Sequence, residues 1–158
     1  MWEKRLSIRP TNGVNMKKDI LIFLMTALVV LTVGCAKDPN RLVIPKNAAD
    51  LTVDFSWKGV RACTHESPEI RVARVPDGTV ELEARLKDIT LPAYNNGGGS
   101  VEYDGSGIIP AGALNVGYNG PCPPPGSRHK YEFSVIARNA QGEIIGFGKS
   151  RQSFPPKE

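Results

Sequence analysis

Short segments in which apolar and polar residues alternate are the feature that most constrains the fold of this chain. A period of two places alternate side chains on opposite faces of a β-strand. Val80–Leu86 shows it clearly, with its charges on one face, so we expect a strand although its residue types also suit a helix. The other predicted strands are Leu51–Trp57, Ile70–Val75, Tyr131–Ala137 and Glu143–Gly148.

Turn residues separate these predicted strands. Pro76-Asp77-Gly78 closes one of them, and Asn139–Gly142 predicts the turn of a hairpin between the last two. The region from Pro92 to Pro125 is rich in glycine and proline, and includes Gly97-Gly98-Gly99, so we predict mostly loops there. With no internal repeat and no long amphipathic helix, the sequence predicts an all-β domain with few or no helices, either a β-sandwich or a small β-rich domain.

An apolar run from Ile20 to Val33 follows the charged segment Met16–Asp19. The run has 14 residues, fewer than the roughly 20 that a transmembrane helix needs, and it is typical of a secretory signal. It ends in Gly34-Cys35, and Leu31–Cys35 resembles the lipobox of bacterial lipoproteins. In that motif the cysteine receives fatty acyl chains such as palmitate and becomes the first residue of the mature protein.

The lipobox resemblance implies lipidation of Cys35 and attachment to the bacterial cell envelope, at the outer membrane facing the periplasm where the cell has one. The alternative is a plain signal peptide or short anchor in which the cysteine is incidental. We therefore divide the chain into four parts. Residues 1–15 are an over-extended start or a long n-region, 16–34 the signal peptide, 35–49 a polar tether, and 50–158 the folded domain.

The positive charge of the chain belongs mainly to the targeting segment. The whole sequence has 20 basic and 16 acidic residues. Residues 1–34 contain five of the basic and two of the acidic residues, so 15 basic and 14 acidic residues remain after residue 34. This near-neutral balance gives no support for nucleic-acid binding.

Two cysteines, Cys63 and Cys122, are left if Cys35 carries lipid. An oxidising compartment favours a disulfide between them, and the alternative is two separate buried thiols.

The most specific motif of the domain is Tyr118–Gly126 followed by His129–Phe133. It resembles the signature of the phosphatidylethanolamine-binding protein family, in which a Gly-Pro-Cys-Pro-Pro loop leads into a strand that begins His-Arg-Tyr. Three further segments resemble family motifs in the same order along the chain: Ser67–Ile70, Val75–Thr79 and Ile109–Ala113. The resemblance covers about residues 51–148, and it implies a β-sandwich with a small anion pocket at one edge.

The resemblance also implies site residues. His129 and Tyr131 lie two apart on a predicted strand, so their side chains share a face and both can donate to one anion. The loop residues Gly120, Pro121 and Pro123 stand beside them, and we expect that loop and Gly97–Gly99 to offer backbone N–H groups to an anion. Each residue also has a structural interpretation: His129 as an ordinary histidine at a strand end, and Tyr131 as a core residue.

The chain departs from the family pattern at two positions. Asp88 keeps the first pocket carboxylate, but Thr90 replaces the second, and Asn96 is the nearest counterpart of a second pocket histidine. Asp88 also has a structural interpretation, as the cap of a turn.

The sequence contains only two histidines, no nucleophile with a base and no set of metal ligands that we recognise. We expect a non-enzymatic protein without cofactor or metal, held at the membrane by lipid, that binds a small phosphate-like or headgroup-like anion. The alternative is an inhibitor-like protein with a vestigial pocket that binds an envelope protein.

Overall fold

The computed structural model describes residues 42–157. The predicted signal peptide, the lipidation site Cys35 and most of the tether lie outside the described residues. Residues 42–157 include no helix long and apolar enough to cross a bilayer. The described part of the chain is built from eight strands and their connections: β1 (Ala49–Asp50), β2 (Thr52–Phe55), β3 (Ile70–Ala73), β4 (Thr79–Asp88), β5 (Asn95–Glu102), β6 (Ile108–Ile109), β7 (His129–Asn139) and β8 (Ile144–Phe154).

These strands form two sheets. The larger sheet has the order β1-β8-β7-β4-β5, in which β1 runs parallel to β8 and all other neighbours are antiparallel. The smaller sheet has the order β2-β3-β6 and is antiparallel. Ala49, at the end of the predicted tether, is thus already part of the sheet, because it pairs with Gly146 of β8.

A single hydrophobic core lies between the two sheets. Phe55 of β2 contacts Phe133 of β7 edge-on, with ring centroids 4.9 Å apart, which is a favourable geometry for two aromatic rings. Trp57 is 1% exposed, and its ring lies within 6.0 Å of those of Tyr131 and Phe154. The predicted all-β sandwich is therefore confirmed.

The alternating segments behave as predicted. Leu82, Ala84 and Leu86 of β4 are buried, while Arg85 and Lys87 between and after them are exposed. The predicted hairpin is also confirmed, since β7 and β8 pair antiparallel across the turn. Within that turn Asn139 Oδ1 accepts hydrogen bonds from the backbone of Gln141 and Glu143.

The region Pro92–Pro125 is mostly loop, as predicted, but it also contains β5 and β6, which we did not predict. Gly97–Gly99 belong to β5 and pack against backbone on both sides. A Cβ at Gly98 would lie 2.1 Å from Ala84 O of β4, and one at Gly99 would lie 2.9 Å from the Leu114 Cα. Only glycine permits such close approach, so this strand has no side-chain alternation to reveal it.

Candidate functional site

The candidate site lies where the end of β4 meets the beginning of β7. Asp88 pairs with Tyr131 in the sheet register, and both side chains face inward, 3% and 1% exposed. His129 stands two residues earlier on β7, so its side chain shares their face of the sheet. Its ring lies 6.3 Å from that of Tyr131. The sheet thus brings together the three side chains that the family resemblance singled out.

Asp88 uses both carboxylate oxygens inside the protein. Oδ2 lies 2.6 Å from His129 Nδ1, while Oδ1 accepts hydrogen bonds from the backbone of Thr90 and Leu91 at 2.8 and 2.9 Å. Burial alone would raise the pKa of Asp88, but these hydrogen bonds and the charge of His129 together lower it. Asp88 is therefore ionised at neutral pH, accepts a hydrogen bond from the Nδ1–H group and orients the imidazole.

His129 keeps its second ring nitrogen for other partners. Because Asp88 engages Nδ1, Nε2 is the atom that a ligand would meet, and in the imidazolium form it would donate a hydrogen bond there. The side chain of His129 is 14% exposed against 4% for that of Asp88. Within this pair, the histidine is thus the member that can contact a ligand, and Asp88 is a positioning residue.

Tyr131 is tied to the loop that precedes β7. Its hydroxyl oxygen accepts a hydrogen bond from the backbone N–H of Cys122 at 3.2 Å. Burial, reinforced by the nearby Asp88 carboxylate, raises the pKa of Tyr131 to about 12, so the phenol stays neutral and keeps its own proton to donate. The structural interpretation of Tyr131 as a buried core residue also fits its 1% exposure.

Asn96 of β5 is 1% exposed and bonds to backbone at both ends of its amide. Its Oδ1 accepts a hydrogen bond from the Asp88 N–H at 3.0 Å, and its Nδ2 donates to the Asn119 carbonyl at 2.9 Å. The side chain therefore connects β4 to the segment before the proline-rich loop. A ligand contact of Asn96 stays a prediction, and in this conformation the residue supports Asp88.

The predicted disulfide between Cys63 and Cys122 is confirmed, with Cα atoms 4.5 Å apart, so the alternative of separate thiols is excluded. Two backbone hydrogen bonds of 2.8 Å accompany it: Cys63 N–H donates to the Pro121 carbonyl, and Gly120 N–H donates to the Thr64 carbonyl. A Cβ on Gly120 would lie 2.7 Å from that same Thr64 oxygen, which explains the glycine.

These contacts change the expected role of the loop. Gly120 and Pro121 are buried and Pro123 is partly buried. The N–H of Gly120 donates to Thr64 and that of Cys122 to Tyr131, while the prolines have no N–H. The loop therefore offers an anion no backbone donor between Gly120 and Pro125 in this conformation, contrary to our expectation. Two of the donors expected at Gly97–Gly99 are also occupied, because Gly97 N–H donates to Asn95 Oδ1 and Gly98 N–H donates to the Val116 carbonyl.

Sequence reasoning missed Thr90 and Asn119 as supporting groups. Thr90 Oγ1 accepts the Lys130 N–H at 2.9 Å, which fastens the turn after β4 to β7 beside His129. An Asp followed two residues later by Thr is a local turn signal that could have pointed to this arrangement. Asn119 takes part through its main chain: its N–H donates to the Asn96 carbonyl and its carbonyl accepts from Asn96 Nδ2, and such backbone contacts carry no sequence signal.

Residues 94–154 match the family model described as phosphatidylethanolamine-binding protein. Over these residues the chain is similar to that family, in agreement with the resemblance of its sequence motifs. The match covers the strands β5 to β8 and includes His129 and Tyr131, whereas Asp88 precedes it. A solved structure described as a phosphatidylethanolamine-binding protein homolog from Chlamydia trachomatis is 17% identical, with a TM-score of 0.47, and covers 70% of this chain and 99% of its own. No curated protein matches the chain.

A separate cleft of about 570 Å³ lies beside the smaller sheet. Its walls come from the end of β2, the connection to β3, Arg71 of β3 and Ala111, and they do not include Asp88, His129 or Tyr131. Within residues 42–157 there is no cluster of three or more side chains suited to hold a metal ion.

Proposed function

We propose that this chain is a lipid-anchored binding protein of the bacterial cell envelope that accepts a small phosphate-like or headgroup-like anion at His129. The observation that carries the proposal is the hydrogen bond between His129 Nδ1 and Asp88 Oδ2, which fixes the ring and leaves Nε2 free to donate to an anion when the imidazole is protonated. Tyr131 adds a neutral hydroxyl on the same face of β7. The lipobox resemblance at Leu31–Cys35 supports the membrane anchor and the cell-envelope location.

The proposed role is binding, without a reaction. Near His129 both oxygens of Asp88 are engaged with protein groups, and the hydroxyl oxygen of Tyr131 accepts a backbone hydrogen bond. Groups held in this way orient one another, but none is an activated nucleophile. We therefore propose a non-enzymatic protein in which one histidine edge is the main polar contact for the anion.

The test is a titration of the chain Ala36–Glu158 with phosphate and with phosphoethanolamine, followed by NMR. This part contains the whole hydrophobic core and the disulfide. The protein has only two histidines, so the ring protons of His129 and His65 give two resolvable reporters that the variants His129→Ala and His65→Ala assign.

We expect saturable shifts of the His129 ring signals and of the Tyr131 amide, and no saturable shift at His65. The His65→Ala variant should bind as the wild type does, while His129→Ala should not bind. A folded protein in which neither anion shifts the His129 signals would refute the anion site.

A second candidate function is protein binding with a vestigial pocket. It is favoured by Leu91 and Tyr94, which are 52% and 48% exposed on the connection that follows Asp88. Large apolar side chains exposed next to one another are common at protein-binding surfaces. A specific envelope protein captured by Ala36–Glu158 and lost with Leu91→Ser and Tyr94→Ser would support this function, and capture unaffected by these changes would contradict it.

A further inference from the structure

On the outer face of the larger sheet, which points away from the core, basic side chains lie toward one end of the strands and acidic side chains toward the other. The register places Lys87, Glu132 and Arg151 in one row across β4, β7 and β8, and Arg85, Ser134 and Lys149 in the next. Lys130 adds a further cation on β7. At the other end of the same face the rows contain Glu81, Glu83 and Glu102, with Arg138.

We call the end with Arg85, Lys87, Lys130, Lys149 and Arg151 the basic half. All five cations are exposed, and Glu132 is the one acidic side chain among them in these rows. Glu132 Oε2 contacts both Arg151 Nε and Lys149 Nζ, the latter at 3.9 Å, and its side chain is only 14% exposed. One partly buried carboxylate thus balances only part of the positive charge of the five exposed cations.

Lys87 and Lys130 are the two cations of the basic half whose charge is not balanced by a nearby carboxylate among the described residues. Neither forms an ion pair with any residue in the described range 42–157. Arg85 contacts Glu83, which it shares with Arg138. Because the chain after residue 34 is almost neutral overall, this concentration of cations reflects a local arrangement and not the average composition.

From this geometry we propose that the basic half is a docking surface for a bilayer that contains anionic phospholipids. A paired sheet presents its side chains as a broad array, which suits a planar partner better than a pocket-sized one. Clusters of Lys and Arg close to a membrane are attracted to anionic headgroups, and each contributes separately. The proposal does not depend on the anion site at His129, because the outer face is formed by the alternate residues of the strands.

The length of chain between the predicted lipid anchor and the domain is compatible with docking on the bilayer. The predicted lipid anchor at Cys35 lies 14 residues before Ala49, which gives the domain a reach of up to about 45 Å. At that distance the domain stays near the surface of its own membrane. Electrostatic attraction acts over about one Debye length, roughly 10 Å at 0.1 M salt, and would then select which face turns toward the lipid.

The test uses the full chain bound to lipid nanodiscs and measures how fast single lysines are acetylated. Nanodiscs of phosphatidylcholine are compared with nanodiscs that also contain phosphatidylglycerol. We expect acetylation of Lys87, Lys130 and Lys149 to slow by about threefold or more in the anionic nanodiscs. Lys58, exposed on the connection between β2 and β3, should react equally in both, and about 1 M salt should remove the difference.

A pair of matched variants separates this docking from general shielding. Lys87→Gln with Lys130→Gln removes two cations that form no ion pair, so Lys149 should lose its protection while the fold is kept. Lys46→Gln with Lys58→Gln removes the same charge elsewhere, and protection of Lys149 should remain. His129→Ala should also leave the protection unchanged, which distinguishes a failure of this proposal from a failure of the anion site.

Three results would overturn the proposal. The first is equal acetylation of Lys149 in both kinds of nanodisc. The second is a slowing of Lys58 as large as that of Lys149. The third is protection by soluble polyglutamate but not by anionic lipid, which would assign the basic half to an acidic protein.

Discussion

The carboxylate of Asp88 holds His129 with one oxygen and the turn after β4 with the other. Oδ2 lies 2.6 Å from His129 Nδ1, and Oδ1 lies 2.8 Å from the Thr90 nitrogen. The same group therefore orients the candidate ligand contact and closes the local backbone. A change at Asp88 should therefore affect both the stability of the fold and the orientation of His129.

Asp88→Asn should lower the free energy of unfolding by about 1–3 kcal/mol, because it replaces charge-assisted hydrogen bonds inside the protein. Urea denaturation measures the change, and the ring signals of His129 should show loss of its fixed orientation. Asp104→Asn is the matched control, since Asp104 Oδ1 accepts the Ser106 N–H in a similar but exposed turn. Equal effects of the two substitutions would contradict the special role of Asp88.

Stability should fall in acid partly through Asp88 and Glu83. In both groups burial opposes ionisation, but hydrogen bonds lower the folded-state pKa: from His129 and the following backbone for Asp88, and from Arg138 and Arg85 for Glu83. A lowered folded pKa means that the unfolded state binds protons first. Their contribution is therefore complete above the unfolded values near 4 and is lost as the pH falls through the folded values.

Urea midpoints measured between about pH 6 and pH 2.5 test this pH dependence. The wild type should lose stability below about pH 4, and Asp88→Asn should show a shallower decline over the same range. An identical decline in both proteins would show that Asp88 does not contribute to it.

Tyr131→Phe and Tyr118→Phe form a matched pair of substitutions in the core. The Tyr131 hydroxyl accepts the Cys122 N–H, so its removal should cost about 1 kcal/mol of unfolding free energy. The buried Tyr118 hydroxyl has no hydrogen-bond partner among the described residues, so its removal should be neutral or stabilising. Urea denaturation of both variants measures the two changes. A larger loss of unfolding free energy for Tyr118→Phe than for Tyr131→Phe would contradict a stabilising hydrogen bond at Tyr131.

Replacement of Cys63 and Cys122 by serine should lower the unfolding free energy by about 4 kcal/mol, because the disulfide spans 59 residues in sequence and restricts the unfolded chain. The Tyr131 amide signal should also shift, since Cys122 bonds to its hydroxyl. Reduction of the wild type should reproduce both effects. An unchanged stability after either treatment would show that the disulfide does not stabilise this fold.

Much of the sandwich could be predicted from sequence because its central strands have one buried face. Leu82, Ala84 and Leu86 alternate with charged residues, and the period of two reveals the strand. The strand β5 has no such signal, since Gly97–Gly99 have no side chains to alternate. Its position is determined by close backbone packing against β4 and Leu114, which is a long-range property.

The candidate site was predictable as a set of residues but not as a network. The family resemblance named Asp88, His129 and Tyr131, and the strand register brings them together. The sequence offered Asp88 either as a pocket group or as a turn cap, whereas the structure uses its two oxygens for His129 and for the turn. Backbone partners such as the Cys122 N–H carry no residue-type signal, and so the closure of the loop could not be foreseen.

The parallel pairing of β1 with β8 also has a mechanical meaning. Ala49 and Asp50 lie beside Gly146 and Phe147, and the Leu51 N–H donates to the Phe147 carbonyl at 2.9 Å. A pull on the chain before Ala49 acts along β1, so these hydrogen bonds are loaded together in shear and do not open one after another. The domain thus receives tension at a strand of its largest sheet, and the first part to yield would be this two-residue attachment while the core stays folded.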